Sequence, residues 1–240
     1  MINTFICEFG SERILRSLLR RASKLIRDLS QLIKPTRTIN KLTSGTPVTI
    51  AALGDSLTQG WMVSQGYIDF LKEMLRIKFP ESRFKLVNSG IPGDTADSGL
   101  YRLIGDVLYY NPDCVFIQYA INDAFSGFTE QQFKKNIKGI IEKINENANT
   151  DIILITSSYI GDNDDNRNVE RYYHQLTVLG EDYGIPVVPV HEYWKKKVRD
   201  GIPFESLVQY DGVHPTEEGY RLMAEAVMEL FEINDKGQSG

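Results

Sequence analysis

The sequence predicts an α/β domain of three layers, with a central, mostly parallel five-stranded sheet between two sets of helices. Two observations carry this. Five short runs, Val48 to Leu53, Phe84 to Val87, Cys114 to Tyr119, Ile152 to Thr156 and Val187 to Val190, have the near-continuous apolar character of strands buried on both faces. Helix-like stretches at about 66–79, 97–110, 129–147 and 167–183 separate them, and a last one runs from Pro215 to about Ile233. Strand and helix alternating this often requires crossover connections, which make neighbouring strands parallel. In such sheets the functional site lies at the carboxyl ends of the strands.

One element precedes the sheet. From Ser11 to Ile33, the residues Ile14, Leu15, Leu18, Leu19, Ala22, Leu25, Ile26, Leu29, Leu32 and Ile33 recur at steps of three and four, giving an N-terminal amphipathic helix with Arg and Lys opposite its apolar stripe. Pro35 ends that helix, and the polar stretch from Thr36 to Thr46 reads as a linker. The expected organisation is therefore 1–46, basic helix and linker, and 47–240, the main domain. Residues 1–46 hold nine Lys/Arg against three acids, so the rest of the chain carries more than the whole net charge of −5. An acidic body argues against nucleic acid as the partner. The basic helix can contact a membrane surface, or it can dock its stripe on its own domain or on a second copy.

With 42% hydrophobic and 25% charged residues, the composition is that of a soluble globular protein and excludes a disordered one. The chain has no apolar run of the roughly 18 to 20 residues that span a bilayer, and its start carries Glu8 and Glu12 without a central apolar block. Neither a membrane span nor a signal peptide is expected. Cys7 and Cys114 stand far apart, the second inside a predicted strand, which suggests neither a disulfide framework nor a metal site. A cytoplasmic setting and no cofactor are the expectations.

Ser56 lies just past the first strand in Gly54-Asp55-Ser56-Leu57-Thr58, a turn at the carboxyl edge of the sheet. A serine hydroxyl needs a base to take its proton, and near neutral pH that base is a histidine. Three are present. His174 falls in a predicted surface helix, where a solvated side chain is the plain account. His191 follows the fifth strand and could approach the site, although capping or packing explains it as well. His214 stands in Tyr210-Asp211-Gly212-Val213-His214-Pro215, a loop before the last helix, where Asp211 can turn back to accept the Nδ1 proton. Asp211 also has a plain account as a turn residue. Acyl transfer needs donors for an oxyanion, and two loops offer them: Asn88 to Thr95, with Gly90 and Gly93, and Ala120 to Asp123, with the Asn122 amide. Both are also ordinary turn compositions. Asp55, Asp94 and Asp123 read as supports for these turns. Trp61, Met62, Val63 and Tyr67, with Phe125 and Phe128, could line an acyl pocket or pack in the core.

Together, Gly-Asp-Ser-Leu near the domain start, Gly-x-x-Gly after strand two, Asn-Asp after strand three and Asp-x-x-His before the last helix resemble the GDSL, or SGNH, hydrolase family. The resemblance covers residues 47 to 233. It implies a flavodoxin-like fold and a serine esterase or acylhydrolase acting on a small-molecule or lipid-like ester or thioester. By it, Ser56 is nucleophile and backbone donor, His214 the base, Asp211 its partner, and Gly93 and Asn122 complete the oxyanion hole. Carbohydrate O-deacetylation and acyl transfer to an alcohol would use the same site. A non-enzymatic binding module is disfavoured because every expected group is present. The family pattern has Gly where this chain has Ala120, a departure that bears on the cleft and substrate range and removes no catalytic group.

Overall fold

The computed structural model describes residues 33–232. Helix α1 (Thr36–Thr43) leads into β1 (Val48–Gly54), the one-turn α2 (Ser56–Gln59) and α3 (Tyr67–Lys78). Next come β2 (Phe84–Gly90), α4 (Ala96–Asp106), β3 (Cys114–Gln118), the short α5 (Ile121–Phe125) and α6 (Glu130–Asn145). The last third comprises β4 (Asp151–Ile155), α7 (Asn163–Tyr183), β5 (Val187–Val188), α8 (Val190–Arg199) and α9 (Glu217–Met228).

The sheet order is β2-β1-β3-β4-β5, and every pairing is parallel. Two packed groups of helices flank it, α3 with α9 and α8, and α6 with α4 and α7. The predicted α/β architecture therefore holds. β3 is buried at every residue, as expected of a central strand covered on both faces. Cys114 is buried there, and burial pushes its thiol well above its usual range.

Two features of this topology place the site. The chain runs from β1 outward to β2 and then returns to β3 on the other side, so the strand order reverses beside β1 and opens a crevice at its carboxyl end. The register pairs Gly54 with both Gly90 and Gln118, and Gln118 with Ile155. Four strands thus stop on one row, and the loops that follow them converge.

Three expectations are corrected. Thr36 to Thr46, read as a linker, contains α1, whose Thr38 and Leu42 are buried. The Thr38 N–H and Oγ1–H both donate to Asp151 Oδ2 at 2.8 Å, and Lys41 pairs with Asp113. A mostly polar sequence hides this helix because distant carboxylates hold it. Pro35 stands at its N-cap, where the missing N–H costs nothing. The fifth strand stops at Val188 instead of Val190, and Pro189 opens α8, which buries Val190 and Trp194 among lysines. The last helix starts at Glu217 and ends in a 3-10 turn, Glu229–Phe231. The basic helix of residues 11–33, with its membrane or self-association reading, lies outside the described residues but for Ile33.

Candidate active site

The turn after β1 is built by short-range chemistry. Asp55 caps α2, its Oδ1 accepting the Leu57 N–H at 2.9 Å, which satisfies a donor the helix start leaves free. Gly54 is required by space: a Cβ there would lie 2.1 Å from Thr58 Oγ1 and 2.7 Å from the Gln118 carbonyl oxygen. The turn delivers Ser56, only 6% exposed, to the end of β1.

His214 arrives from the other side of the crevice. Its Nε2 is 2.9 Å from Ser56 Oγ and its Nδ1 is 2.6 Å from Asp211 Oδ2. Asp211 Oδ1 also accepts the N–H groups of Val213 and His214, both at 2.9 Å, so one carboxylate shapes the loop and orients the ring. Partial burial pushes the Asp211 carboxyl up, but these N–H donors and the imidazole outweigh it and hold the group below the usual carboxylate range. The Trp61 ring lies against His214 with centroids 5.9 Å apart. Gln209 closes the loop by donating its Nε2–H to the carbonyls of Trp61 and Pro215, both at 2.9 Å.

The two predicted donor loops meet each other through Asn122 and Asp94. Gly93 has φ +78°, a backbone that favours glycine, and it is exposed. Asn122, half-buried at the start of α5, donates Nδ2–H to the Asp94 carbonyl at 2.9 Å, which fixes its amide and leaves the second N–H of that group for another acceptor. Ser56 and Asn122 therefore stand in the short helices that follow β1 and β3, Gly93 stands in the loop after β2, and Asp211 and His214, in the loop between α8 and α9, reach this end of the sheet through the contact of His214 with Ser56.

Of the other histidines, His174 is exposed on α7, and His191 Nδ1 is 3.0 Å from Thr156 Oγ1 with its ring against Tyr173. Of the apolar candidates, Tyr67 is fully buried in the core and is no pocket residue, whereas Met62 and Phe125 are 70% and 50% exposed. Among the described residues, no group of three or more His, Cys, Asp or Glu side chains is placed to hold a metal ion.

Sequence reasoning missed the residues beneath the site. The buried Gln118 amide donates to Ser157 Oγ at 2.8 Å and to Asp55 Oδ2 at 3.4 Å, while its carbonyl accepts from Thr58 Oγ1 at 2.8 Å. A lone amide closing the apolar run Cys114 to Ile117 was the available signal. Asp94 is buried and pairs with the partly buried Arg102, and Asp123 Oδ1 accepts the Ala96 N–H at 3.0 Å, so both support loops. Burial pushes the carboxyls of Asp55 and Asp123 each up to about 7.

Comparison with known proteins places this geometry. A model of the GDSL-like Lipase/Acylhydrolase family matches residues 52–222. The chain is 26% identical over 179 residues to Thioesterase 1/protease 1/lysophospholipase L1 of Escherichia coli strain K12, covering 74% of this chain and 80% of that protein. It is 24% identical over 176 residues to an acetylxylan esterase of Geobacillus stearothermophilus, covering 68% and 79%. Among solved structures, the acetylxylan esterase Axe2 of Geobacillus stearothermophilus superposes with a TM-score of 0.70 at 21% identity, over 78% of this chain and 95% of that one. A two-domain esterase active on acetylated mannans superposes with a TM-score of 0.68 at 24% identity, over 81% of this chain and 51% of that one. At these identities the structural likenesses show the fold, and the family model shows the family. Because its match runs from within β1 into α9, across the whole crevice, the chain belongs to the GDSL-like lipase/acylhydrolase family and is a carboxylic ester hydrolase.

Proposed function

We propose that the chain hydrolyses small or lipid-like carboxylic esters and thioesters through an acyl-enzyme on Ser56. The observation that carries this is the hydrogen-bonded line from Ser56 Oγ through the His214 ring to Asp211, at 2.9 and 2.6 Å. Ser56 Oγ attacks the carbonyl carbon while His214 Nε2 takes its proton, and Asp211 stabilises the imidazolium. The oxyanion is held by the N–H groups of Ser56 and Gly93 and by the Asn122 amide. When the adduct collapses, His214 returns the proton to the departing alcohol or thiol. Water then attacks the acyl-enzyme with the same base, releasing the acid and restoring Ser56. Exposed Met62, in the loop after α2, and exposed Phe125, at the end of α5, favour an apolar acyl group. Removal of acetyl groups from a carbohydrate is a second reading, supported by the acetylxylan esterase relative.

The test is turnover of p-nitrophenyl acetate, butyrate and octanoate, and of acetylated xylo-oligosaccharide, by wild type and Ser56→Ala. The variant is expected to lose at least about a thousandfold in kcat. Equal rates in the two proteins would sink the nucleophile assignment. Octanoate turned over faster than acetate supports the lipid-like ester; rapid acetate release from the oligosaccharide with negligible octanoate cleavage decides for the deacetylase.

A further inference from the structure

Resting on that reading of the site, we propose that Arg102 is a positioning residue whose guanidinium locks together the three loops that carry the oxyanion donors. Arg102 sits on α4, its side chain 12% exposed, and touches neither Ser56 nor His214 through any hydrogen bond. It reaches each loop from beneath. Toward the Ser56 loop, its Nη2–H donates to the Gly54 carbonyl at 3.1 Å, two residues before the nucleophile. Toward the Gly93 loop, Nε–H and Nη2–H both donate to Asp94 Oδ2, at 2.8 and 2.7 Å. Toward the Asn122 loop, Nη2 lies 3.2 Å from the hydroxyl of Tyr119, which itself donates to Asp94 Oδ2 at 2.8 Å and immediately precedes the Ala120 to Asp123 turn.

The link to chemistry runs through Asp94. Its carboxylate is fixed by Arg102 and Tyr119, and its backbone carbonyl accepts the Asn122 Nδ2–H at 2.9 Å. It follows Gly93, so one residue sets both the Gly93 backbone and the Asn122 amide. The Gly54 carbonyl also accepts the Ile91 N–H at 3.0 Å, tying the first two loops at a second point. A planar fork serves Gly54, Asp94 and Asp106 together, its Nη1–H being taken up by Asp106 Oδ2 at 3.1 Å. Lysine could satisfy one corner and would leave the others unmade.

The experiment measures kcat and KM for p-nitrophenyl butyrate with the full chain, using wild type, Arg102→Met, Arg102→Lys and Tyr119→Phe, each alone and in an Asn122→Ala background, with Ser56→Ala as control. A residue that aims oxyanion donors changes kcat with KM nearly constant, and its effect shrinks once the donor it aims is gone. Arg102→Met is expected to lower kcat about tenfold to a hundredfold with KM within about twofold, and to cost less than about threefold more in the Asn122→Ala background. Arg102→Lys should fall between wild type and Arg102→Met. Tyr119→Phe removes one hydroxyl from the same Asp94 oxygen, so it carries the test if Arg102→Met does not fold; a loss of about threefold or more, again absent without Asn122, supports the proposal. Full additivity with Asn122→Ala, or kcat within twofold of wild type in every folded variant, overturns it. Should Ser56→Ala retain wild-type turnover, the reading of the site itself fails, and the two failures are told apart.

Discussion

The two halves of the site are built in opposite ways. On the nucleophile side, Ser56 is 6% exposed beside the buried side chains of Asp55 and Gln118, and beyond the adjacent Asp55 cap the network that supports its turn joins residues tens of positions apart. On the base side, Asp211 and His214 are three residues apart with side chains 32% and 23% exposed, and the loop is shaped by its own N–H groups. The first half is a polar network sealed under the sheet's edge; the second is a surface loop carrying its own geometry. Buried polar networks contribute to stability as well as placement, because each unpaired member costs about 1–3 kcal/mol. A solvated loop has no such stake. Substitutions on the base side should therefore change rate with little change in stability, and those on the nucleophile side should move both.

Asp211→Asn is the largest expected break in that comparison. An asparagine can keep its carbonyl oxygen on the Val213 and His214 N–H groups, so the loop survives. Its Nδ2–H₂ then faces His214 Nδ1 and forces the tautomer that cannot accept the Ser56 proton. We expect kcat to fall by at least about a thousandfold while Tm stays within about 2 °C of wild type. A Tm loss as large as that of a core substitution would show the base loop to be as structural as the platform beneath Ser56.

The same contrast explains what the sequence disclosed. Ser56 and its Asp55 cap, or Asp211 and His214, are neighbours along the chain, so spacing and turn chemistry are enough to find them. The strand runs were legible for a related reason, since burial on both faces leaves a continuous apolar signature. Arg102 gave no comparable sign, and Gln118 only a lone amide at the end of an apolar run. Their partners lie across the sheet's edge, and an arginine on an amphipathic helix reads as a solvated face until the fold brings Asp94 against it. Helix α1 was missed similarly, because Asp113 and Asp151 hold it from another part of the chain. Pairing by charge and hydrogen bond at long range leaves no period in the sequence.

The buried half should also be the pH-sensitive half. Burial pushes the Asp123 carboxyl from 3.8 up to about 7, against the Ala96 N–H that lowers it, and Asp123 Oδ2 has no hydrogen-bond partner within the described residues. Between those two values the folded chain holds a proton that the unfolded chain has released, so stability falls as pH rises through the window. Asp55 contributes in the same direction, its carboxyl also raised to about 7 by burial. Asp123→Asn keeps the neutral shape and the acceptor for Ala96 N–H, and it leaves Asp55 in place. The wild-type drop in Tm between about pH 4 and about pH 7 should shrink by roughly half in the variant, a difference on the order of 4 °C. Identical pH profiles for the two proteins would show that Asp123 does not titrate in this window.

The smallest effect is expected at Ala120, where the donor loop meets the sheet. Its φ of 144° with ψ of −41° lies where a Cβ is disfavoured, yet the residue is fully buried and its carbonyl accepts the Ala124 N–H at 2.9 Å to start α5. Such a backbone costs about 1–3 kcal/mol for a residue with a side chain, and glycine would adopt it freely. Two terms oppose that relief. Glycine adds roughly 0.5–1 kcal/mol of unfolded-chain entropy to be lost, and removing a buried methyl forfeits about 0.8 kcal/mol. Ala120→Gly should therefore raise Tm by no more than about 2 °C, with kcat on p-nitrophenyl acetate within about threefold of wild type because Asn122 stays anchored on the Asp94 carbonyl. A fall in Tm would mean that the methyl's packing outweighs the strain. A large loss of kcat at unchanged Tm would mean instead that the strained turn itself aims the Asn122 amide, and that the nucleophile half stores geometry in its backbone as well as in its buried hydrogen bonds.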